Sequence, residues 1–180
     1  MAEFLKDIDD SWCLFLDRDG VINKRIYGGY VTEWKKFRFQ PGAQEALATF
    51  ANKFKYIFVV TNQQGVGKGL MTISQLVELH SDMVSEIESK GGRITKIYFC
   101  TDLASLKDNC RKPSTVMAKK AKQDYPDIDF SKSVMIGDSE SDIIFGKNAA
   151  MHTVLHLSTD NAHINAEMKV GSLLEFAKYL

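Results

Sequence analysis

Residues 12–23 read WCLFLDRDGVIN, an apolar run that ends in two carboxylates and a glycine. The run Trp12–Leu16 lacks the alternation of a half-exposed strand, which is typical of a strand buried on both faces. Asp17 and Asp19 therefore stand at the carboxyl end of a predicted strand, where Gly20 lets the backbone turn sharply away. The stretch predicts a buried strand of a parallel sheet with polar chemistry at its end.

Four further apolar runs have the same character, namely Tyr56–Val60, Ile97–Cys100, Val134–Ile136 and Thr153–Leu157. Segments with helical spacing separate them and begin after Pro41-Gly42, at Thr72, after Pro113, near Ser141 and at Leu173. Strands that alternate with helices predict an α/β fold, a Rossmann-like parallel sheet with helices on both faces. We expect a single domain over residues 1–180. Two connections are unusually long, Asn23–Gln40 and Thr101–Arg111, and such loops are usually functional.

The composition excludes several classes of partner. The 180 residues carry 23 basic and 23 acidic side chains, so no global field attracts nucleic acid or an anionic membrane. No apolar run approaches the roughly 20 residues needed to span a bilayer. Residues 1–10 lack the basic and then apolar layout of a secretory signal. The chain has three cysteines, an odd number, so they cannot all be paired in disulfides. We therefore expect a cytoplasmic protein with reduced thiols, while its oligomeric state stays unknown.

Polar groups follow four of the predicted strands at the edge where open parallel sheets bind ligands. They are Asp17-Arg18-Asp19-Gly20, Thr61-Asn62, Arg111-Lys112-Pro113 and the run Gly137–Asp142. Convergence of four separate strands on one edge predicts a single site there.

The chemistry of these groups suits phosphoryl transfer. Asp17, Asp19 and Asp138 offer the hard oxygen ligands that Mg²⁺ prefers. Lys112 adds a positive charge and Thr61 adds neutral donors, so that a phosphoryl group could be held against one carboxylate. We expect Asp17 to be the nucleophile that forms an aspartyl-phosphate. Asp19 is then the acid that protonates the leaving oxygen and the base that activates water.

These signatures, in this order and on these elements, resemble the haloacid dehalogenase superfamily of phosphatases over residues 12 to about 157. The segments FLDRDGVIN, GYV, TNQQGVGKG and CRKP, which begin at residues 15, 29, 61 and 110, are similar to a narrower group. That group contains the D-glycero-D-manno-heptose 1,7-bisphosphate phosphatases and the histidinol-phosphate phosphatases.

The resemblance implies roles for particular residues. Asp17 is the nucleophile, Asp19 is the acid/base and lends its backbone carbonyl to Mg²⁺, Asp138 is a metal ligand, and Lys112 steadies the phosphoryl group. The residues implied at the phosphate and sugar site are Thr61, Asn62, Gln63, Gln64, Arg111, Gly29 and Tyr30. These enzymes lack a large cap domain, so the two long connections are expected to set specificity for a small phosphorylated metabolite.

The sequence departs from the narrower group at three places. Where relatives carry a zinc loop with cysteine and histidine ligands, this chain has Cys100, Asp102, Asp108 and Cys110, which makes zinc unlikely. Ser139 stands where many heptose enzymes have a lysine, and Thr115-Val116 replaces the usual Pro-Gly. The core chemistry does not depend on these positions.

Some assignments have two readings. Asp142 is either a magnesium ligand, direct or through a neighbour, or an acidic residue near a helix N-terminus. Asp127-Ile128-Asp129 repeats the D-x-D spacing but follows Pro126 without a strand, so it is predicted to be loop. His80 lies on the apolar stripe of its helix and is expected to be buried rather than catalytic.

The function favoured by the sequence is hydrolysis of a sugar bisphosphate such as heptose 1,7-bisphosphate. Histidinol-phosphate hydrolysis is the alternative. A polynucleotide 3′-phosphatase, which needs a basic track, and a non-catalytic binding scaffold are less favoured.

Overall fold

Six strands form one parallel sheet in the computed structural model, which describes residues 2–180. The strands are β1 (Cys13–Leu16), β2 (Tyr56–Asn62), β3 (Lys96–Cys100), β4 (Ser133–Gly137), β5 (His152–His156) and β6 (Met168–Val170). Their order across the sheet is β3-β2-β1-β4-β5-β6, and every neighbouring pair is parallel. The predicted α/β class and parallel sheet are confirmed.

Six α-helices accompany the strands, five of them between strands and the last after β6. They are α1 (Ala43–Ala51), α2 (Gln64–Gly67), α3 (Ile73–Ser89), α4 (Val116–Asp124), α5 (Glu140–Asn148) and α6 (Leu173–Ala177). Three short 3₁₀ helices span Glu3–Asp7, Trp34–Lys36 and Phe130–Lys132. No helix among residues 2–180 combines the length and the apolarity that crossing a membrane requires.

The core lies on both faces of the sheet because successive strand residues point to opposite sides. In β1, Leu14 and Leu16 pack in a cluster with residues of α1, α3 and α6. Phe15, between them, packs in a second cluster with residues of α4 and α5. All three side chains are fully buried. The uniformly apolar strands of the sequence are thus explained by helices on both faces, as predicted.

Strand β1 occupies the centre of the sheet and sets the place of the polar edge. Leu16 pairs with Val59 of β2 on one side and with Ile136 of β4 on the other. The chain order changes direction there, since β2 and β4 flank β1, and ligands bind at such switch points. Asp17, whose backbone N–H donates to the Ile136 carbonyl at 3.0 Å, begins the polar segment between the two neighbours.

The start of α3 shows how local sequence fixes an element. Thr72 accepts a hydrogen bond from the Gln75 backbone N–H at 3.1 Å, and the Gln75 side chain accepts one from the Thr72 N–H at 2.8 Å. This capping box satisfies two backbone donors that the helix cannot pair itself. The helix start predicted at Thr72 is confirmed.

Two short elements were not predicted from the sequence. Strand β6 has three residues and carries Lys169 in an exposed position, so it shows neither a long apolar run nor a clear alternation. Helix α2 is a single turn inside the glycine-rich segment after β2. Elements of this length leave almost no periodic signal. The predicted loop at residues 127–129 is confirmed.

Cys100 and Cys110 form a disulfide across a sequence separation of 10, with their Cα atoms 5.6 Å apart. The prediction of reduced thiols is therefore wrong for these two residues, because the long connection folds back to the end of β3. Cys13 remains a free thiol and is buried in the core, as expected. The bond anchors the segment that leads to Arg111 and Lys112.

Reduction is expected to weaken the fold by about 2–3 kcal/mol, because a bond that closes a loop of this length restricts the unfolded chain. The free energy of unfolding, measured in urea with and without dithiothreitol, should show this loss. Cys110→Ser is the matched control, since its stability should not respond to the reductant. Thiol titration of unfolded, unreduced protein should find one free cysteine, and a count of three would contradict the disulfide.

Candidate active site

The ammonium of Lys112 lies at the centre of the polar edge. Its Nζ is 2.7 Å from Asp17 Oδ1 and 2.6 Å from Asp142 Oδ1, and it donates to the Val60 carbonyl at 2.7 Å. These partners belong to the ends of β1 and β2 and to the first turn of α5. Lys112 is only 4% exposed, so all three of its protons point at protein oxygens. Lys112 therefore links its own segment to the ends of β1 and β2 and to the start of α5.

Burial and charge work against each other in this cluster. Burial raises the pKa of the Asp17 carboxyl to about 6, although the Lys112 charge lowers it. Burial also lowers the pKa of Lys112, but the charges of Asp142 and Asp17 outweigh it and the net pKa is raised. Lys112 therefore stays protonated and holds the Asp17 carboxylate in place.

Asp19 is held by a separate set of donors. Arg18 Nη2 donates to both of its oxygens at 2.9 and 3.1 Å, Gln63 Nε2 to Oδ2 at 2.8 Å, and Asn23 Nδ2 to Oδ1 at 2.9 Å. Burial acts to raise the pKa of Asp19, but the Arg18 charge and the hydrogen bonds outweigh it and the net pKa is lowered. The side chain is thus oriented and favoured as a carboxylate.

Arg18 itself is a feature that the sequence analysis missed. It is fully buried, and its Nη1 lies 3.0 Å from His80 Nε2 on α3. Burial, together with the Arg18 charge, lowers the pKa of His80 to about 3, so the imidazole is neutral and accepts the Arg18 hydrogen bond. His80 is buried, as predicted, and it orients the arginine. The available signal was the position of Arg18 between the two carboxylates of the D-x-D segment.

Asp138 completes a cluster of buried carboxylates. One oxygen from each of Asp17, Asp138 and Asp142 lies within 4.8 Å of the others. Burial and the charge of Asp17 raise the pKa of Asp138 to about 8. Gathered oxygens that repel one another fit a divalent cation with a preference for hard ligands, so the donor set suits Mg²⁺. Gly20, at φ +98°, lies so close to Asp138 that a Cβ would collide with the carboxylate.

Asp142 has little free capacity to bind a metal directly. Its Oδ1 contacts Lys112, while its Oδ2 accepts from the Ser139 hydroxyl at 2.6 Å and from the backbone N–H groups of Asp138 and Ser139. With Ser139 as the N-cap, it forms the capping box of α5. These contacts favour the alternative reading of Asp142 as an acidic helix-start residue, with the added task of positioning Lys112.

A cavity of about 530 Å³ opens beside these groups. Asp17, Asp19 and Lys112 line its inner end, and five of the predicted substrate residues line it too, namely Thr61, Asn62, Arg111, Gly29 and Tyr30. Sequence reasoning missed Lys68, Ser141, Ile26 and Tyr27 among the lining residues. Lys68 Nζ lies 5.4 Å from the centre of the Tyr30 ring. The available signal for Lys68 was its place between Gly67 and Gly69 in the glycine-rich segment after β2.

Gln63 and Gln64, which were also predicted at the substrate site, are not among the residues that line this cavity. The Gln63 amide turns inward and donates to Asp19 and to the Thr61 hydroxyl. The Gln64 amide donates to the Tyr30 hydroxyl at 3.0 Å and accepts from the Ala104 N–H at 3.1 Å. Both side chains are consumed in internal hydrogen bonds, so any effect on a substrate is indirect.

Asn62 has a double role at the cavity wall. Its Oδ1 accepts from the Lys112 backbone N–H at 2.9 Å, and its Nδ2 donates to the Lys112 carbonyl at 3.3 Å. This pair of bonds docks the segment after the disulfide onto the end of β2. The backbone of Lys112 is therefore fixed independently of its side chain.

Known proteins resemble this chain in sequence. The family model described as HAD-hydrolase-like matches residues 109–168. A D-glycero-alpha-D-manno-heptose-1,7-bisphosphate 7-phosphatase of Mycobacterium bovis is 40% identical over 140 residues, which cover 78% of this chain and 74% of the relative. The corresponding alpha enzyme of Campylobacter jejuni is 36% identical, with 93% and 90% covered. A beta-anomer enzyme of Helicobacter pylori is 35% identical, with 84% and 86% covered.

Solved structures agree on the fold. The D,D-heptose 1,7-bisphosphate phosphatase from B. bronchiseptica, complexed with magnesium and phosphate, superposes with a TM-score of 0.84 at 24% identity, covering 93% of this chain and 96% of that one. The enzyme from Burkholderia thailandensis superposes with a TM-score of 0.66 at 26% identity and the same coverage. With its fold, its strand-end carboxylates and relatives at this identity, the chain belongs to the heptose-1,7-bisphosphate phosphatase family of HAD-like hydrolases.

Proposed function

We propose that this protein removes the C7 phosphate of a D-glycero-D-manno-heptose 1,7-bisphosphate, with Asp17 as the nucleophile and Mg²⁺ as the cofactor. The observation that carries the proposal is the Lys112 ammonium, 2.7 Å from the Asp17 carboxylate at the inner end of the cavity. A buried cation beside a strand-end carboxylate stabilises the charge of a phosphoryl group in transfer. The choice of this substrate rests on the names of the relatives described above.

The residues of this chain account for both chemical steps. In the first, an Asp17 oxygen bonds to phosphorus as the bond from phosphorus to the sugar oxygen breaks, and Asp19 donates a proton to that oxygen. In the second, water attacks the aspartyl-phosphate while Asp19 takes its proton, which releases inorganic phosphate and regenerates Asp17. Lys112 stays protonated through both steps, since its ammonium donates hydrogen bonds to three protein oxygens.

The surroundings of Asp19 suit the second step directly. The donors Arg18, Gln63 and Asn23 favour its carboxylate form, which is the form of a base. The first step needs the protonated form. A bound phosphate next to Asp19 favours it, because a neighbouring negative charge raises the pKa of a carboxyl.

Magnesium would be held by Asp17, by Asp138 and by the carbonyl of Asp19, and it would neutralise charge on the phosphoryl oxygens. The three clustered carboxylates support this assignment, since a cation relieves their repulsion. Asp142 belongs to the same cluster and positions Lys112.

The cavity wall supports a substrate with a second anionic group. Besides Lys112, three cationic side chains line the cavity, namely Arg25, Lys68 and Arg111. Arg111 offers a planar pair of donors that suits a phosphate. A small phosphorylated metabolite fits a cavity of this size.

A cytoplasmic location for the protein stays a prediction from the sequence.

Asp17→Asn should abolish turnover, because an amide cannot attack phosphorus as the carboxylate does. Release of inorganic phosphate from heptose 1,7-bisphosphate measures the effect. Asp127→Asn is the matched control, since Asp127 belongs to the second D-x-D segment and is exposed at the far end of β2. The control should keep nearly full activity. Retention of more than a trace of activity by Asp17→Asn would rule out the nucleophile.

Activity should require Mg²⁺ and should be lost in Asp138→Ala, because the cluster then lacks one of the carboxylates that would hold the cation. Calcium should inhibit, since its larger and looser coordination spoils the in-line geometry. Phosphate release is measured in EDTA, in Mg²⁺ and in mixtures of Mg²⁺ with Ca²⁺. Full activity in excess EDTA would refute the metal-dependent mechanism.

Arg111→Gln should raise the KM for heptose 1,7-bisphosphate by about tenfold or more, since a charge-assisted contact to a phosphate is lost. The KM for p-nitrophenyl phosphate, which has no second anionic group, should change little. Lys107→Gln is the control, because Lys107 is exposed in the same connection and its loss removes the same charge.

The same assay decides between substrates. The wild-type kcat/KM should be higher for heptose 1,7-bisphosphate, tested as both anomers, than for histidinol phosphate. Equal values, or a preference for histidinol phosphate, would overturn the substrate assignment while leaving the phosphatase chemistry intact.

A further inference from the structure

Arg25 reaches into the carboxylate cluster from the long connection between β1 and α1. Its Nη2 lies 2.8 Å from Asp138 Oδ1 and 3.4 Å from the backbone carbonyl oxygen of Asp19. Its side chain is 39% exposed, whereas that of Asp138 is 6% exposed. Among residues 2–180, Arg25 makes the one ion pair that Asp138 has. The partly exposed Arg25 side chain thus supplies the positive charge that pairs with the buried Asp138 carboxylate.

The two groups that Arg25 contacts, the Asp138 carboxylate and the Asp19 carbonyl, are two of the groups that the proposed function gives to Mg²⁺. The Asp138 carboxylate is the ligand from β4, and the Asp19 carbonyl is the ligand from the segment after β1. A guanidinium and a metal ion held against these two groups would repel each other, because both are positively charged. Arg25 and the metal therefore compete for this position.

The charges around Asp138 explain why an arginine settles there. Asp17 and Asp142 lie in the same cluster, so the buried Asp138 has two negatively charged neighbours. Arg25 supplies a positive charge 2.8 Å from Asp138 Oδ1. The Lys112 ammonium makes its ion pairs with Asp17 and Asp142 instead.

Arg25 is continuous with the wall of the substrate cavity. The next four residues, Ile26–Gly29, line that cavity together with Arg25 itself. The segment is tied at its start by the Lys24 N–H, which donates to the Arg38 carbonyl at 2.8 Å. Beyond that point, Arg25 supplies a side-chain anchor to the sheet edge, and Gly28 and Gly29 follow three and four positions later. Release of Arg25 would therefore loosen the wall that faces a substrate.

We propose that Arg25 is an internal counterion that occupies the magnesium position between Asp138 and the Asp19 carbonyl, and that Mg²⁺ binds by displacing it. The inference rests on the proposed magnesium site. Displacement frees the guanidinium and the segment 25–29, so that metal binding readies the cavity wall for the substrate. The order of binding is then metal first and phosphorylated sugar second.

The test measures Mg²⁺ binding by calorimetry, without substrate, at pH 8.5 so that the carboxylates are ionised. Arg25→Gln should bind Mg²⁺ about threefold to tenfold more tightly than the wild type, because the metal no longer competes with a half-exposed ion pair. Arg25→Lys keeps the charge without the planar fork and should fall between the two. Lys24→Gln is the matched control, since it removes one exposed charge from the same segment, and its dissociation constant should change by less than about twofold at physiological salt.

Hydrogen exchange of the wild type gives an independent measurement. Addition of Mg²⁺ should speed amide exchange in residues 25–29, whereas in Arg25→Gln these amides should exchange rapidly with or without the metal. Unchanged or weaker Mg²⁺ binding by Arg25→Gln relative to Lys24→Gln would overturn the proposal. So would wild-type exchange in this segment that Mg²⁺ leaves unaltered or slows.

These outcomes are distinct from failure of the proposed function. Asp138→Ala serves as the reference that should not bind Mg²⁺, and a wild type that behaves like it would refute the magnesium site itself. A wild type that binds Mg²⁺ but does not hydrolyse the heptose bisphosphate would refute the substrate assignment. The competition between Arg25 and the metal would still be measured in that case.

Discussion

The buried ammonium of Lys112 is the constraint on which the polar edge depends. Removing a charge from water costs several kcal/mol unless partners replace the solvent, and here Asp17, Asp142 and the Val60 carbonyl do so. The three partners come from three elements, so they meet only when the centre of the sheet is assembled. The position of the Asp17 carboxylate is therefore a property of the folded core rather than of a flexible loop, which suits its proposed role as the nucleophile.

The polar groups around this centre are fixed by their use in more than one contact. Asp142 caps α5 with one oxygen and binds Lys112 with the other. Asn62 pairs with both backbone groups of Lys112. Gln63 links Asp19 to Thr61. Sharing of this kind satisfies buried polar atoms with few side chains, and it couples the position of Asp19 to that of Thr61.

The sequence predicted those parts of the site that follow from strand ends. Asp17 and Asp138 were found because β1 and β4 are adjacent and parallel, so residues after both strands must meet. The pairing of Arg18 with His80 could not be predicted in this way. The two residues are 62 positions apart, and neither belongs to a periodic pattern of polar residues. The disulfide was misjudged for a related reason, because an odd number of cysteines says nothing about the path of the chain between residues 100 and 110.

The Gln64 amide joins the two long connections, one through the Tyr30 hydroxyl and the other through the Ala104 N–H. Its own backbone belongs to α2, at the end of β2, so the junction is mounted on the frame of the sheet. If one connection were replaced by that of a relative, either the nitrogen or the oxygen of the Gln64 amide would lose its hydrogen-bond partner. A chimaera designed to transfer selectivity would have to carry both connections and residue 64 as one unit, and natural divergence within this family would face the same joint inheritance.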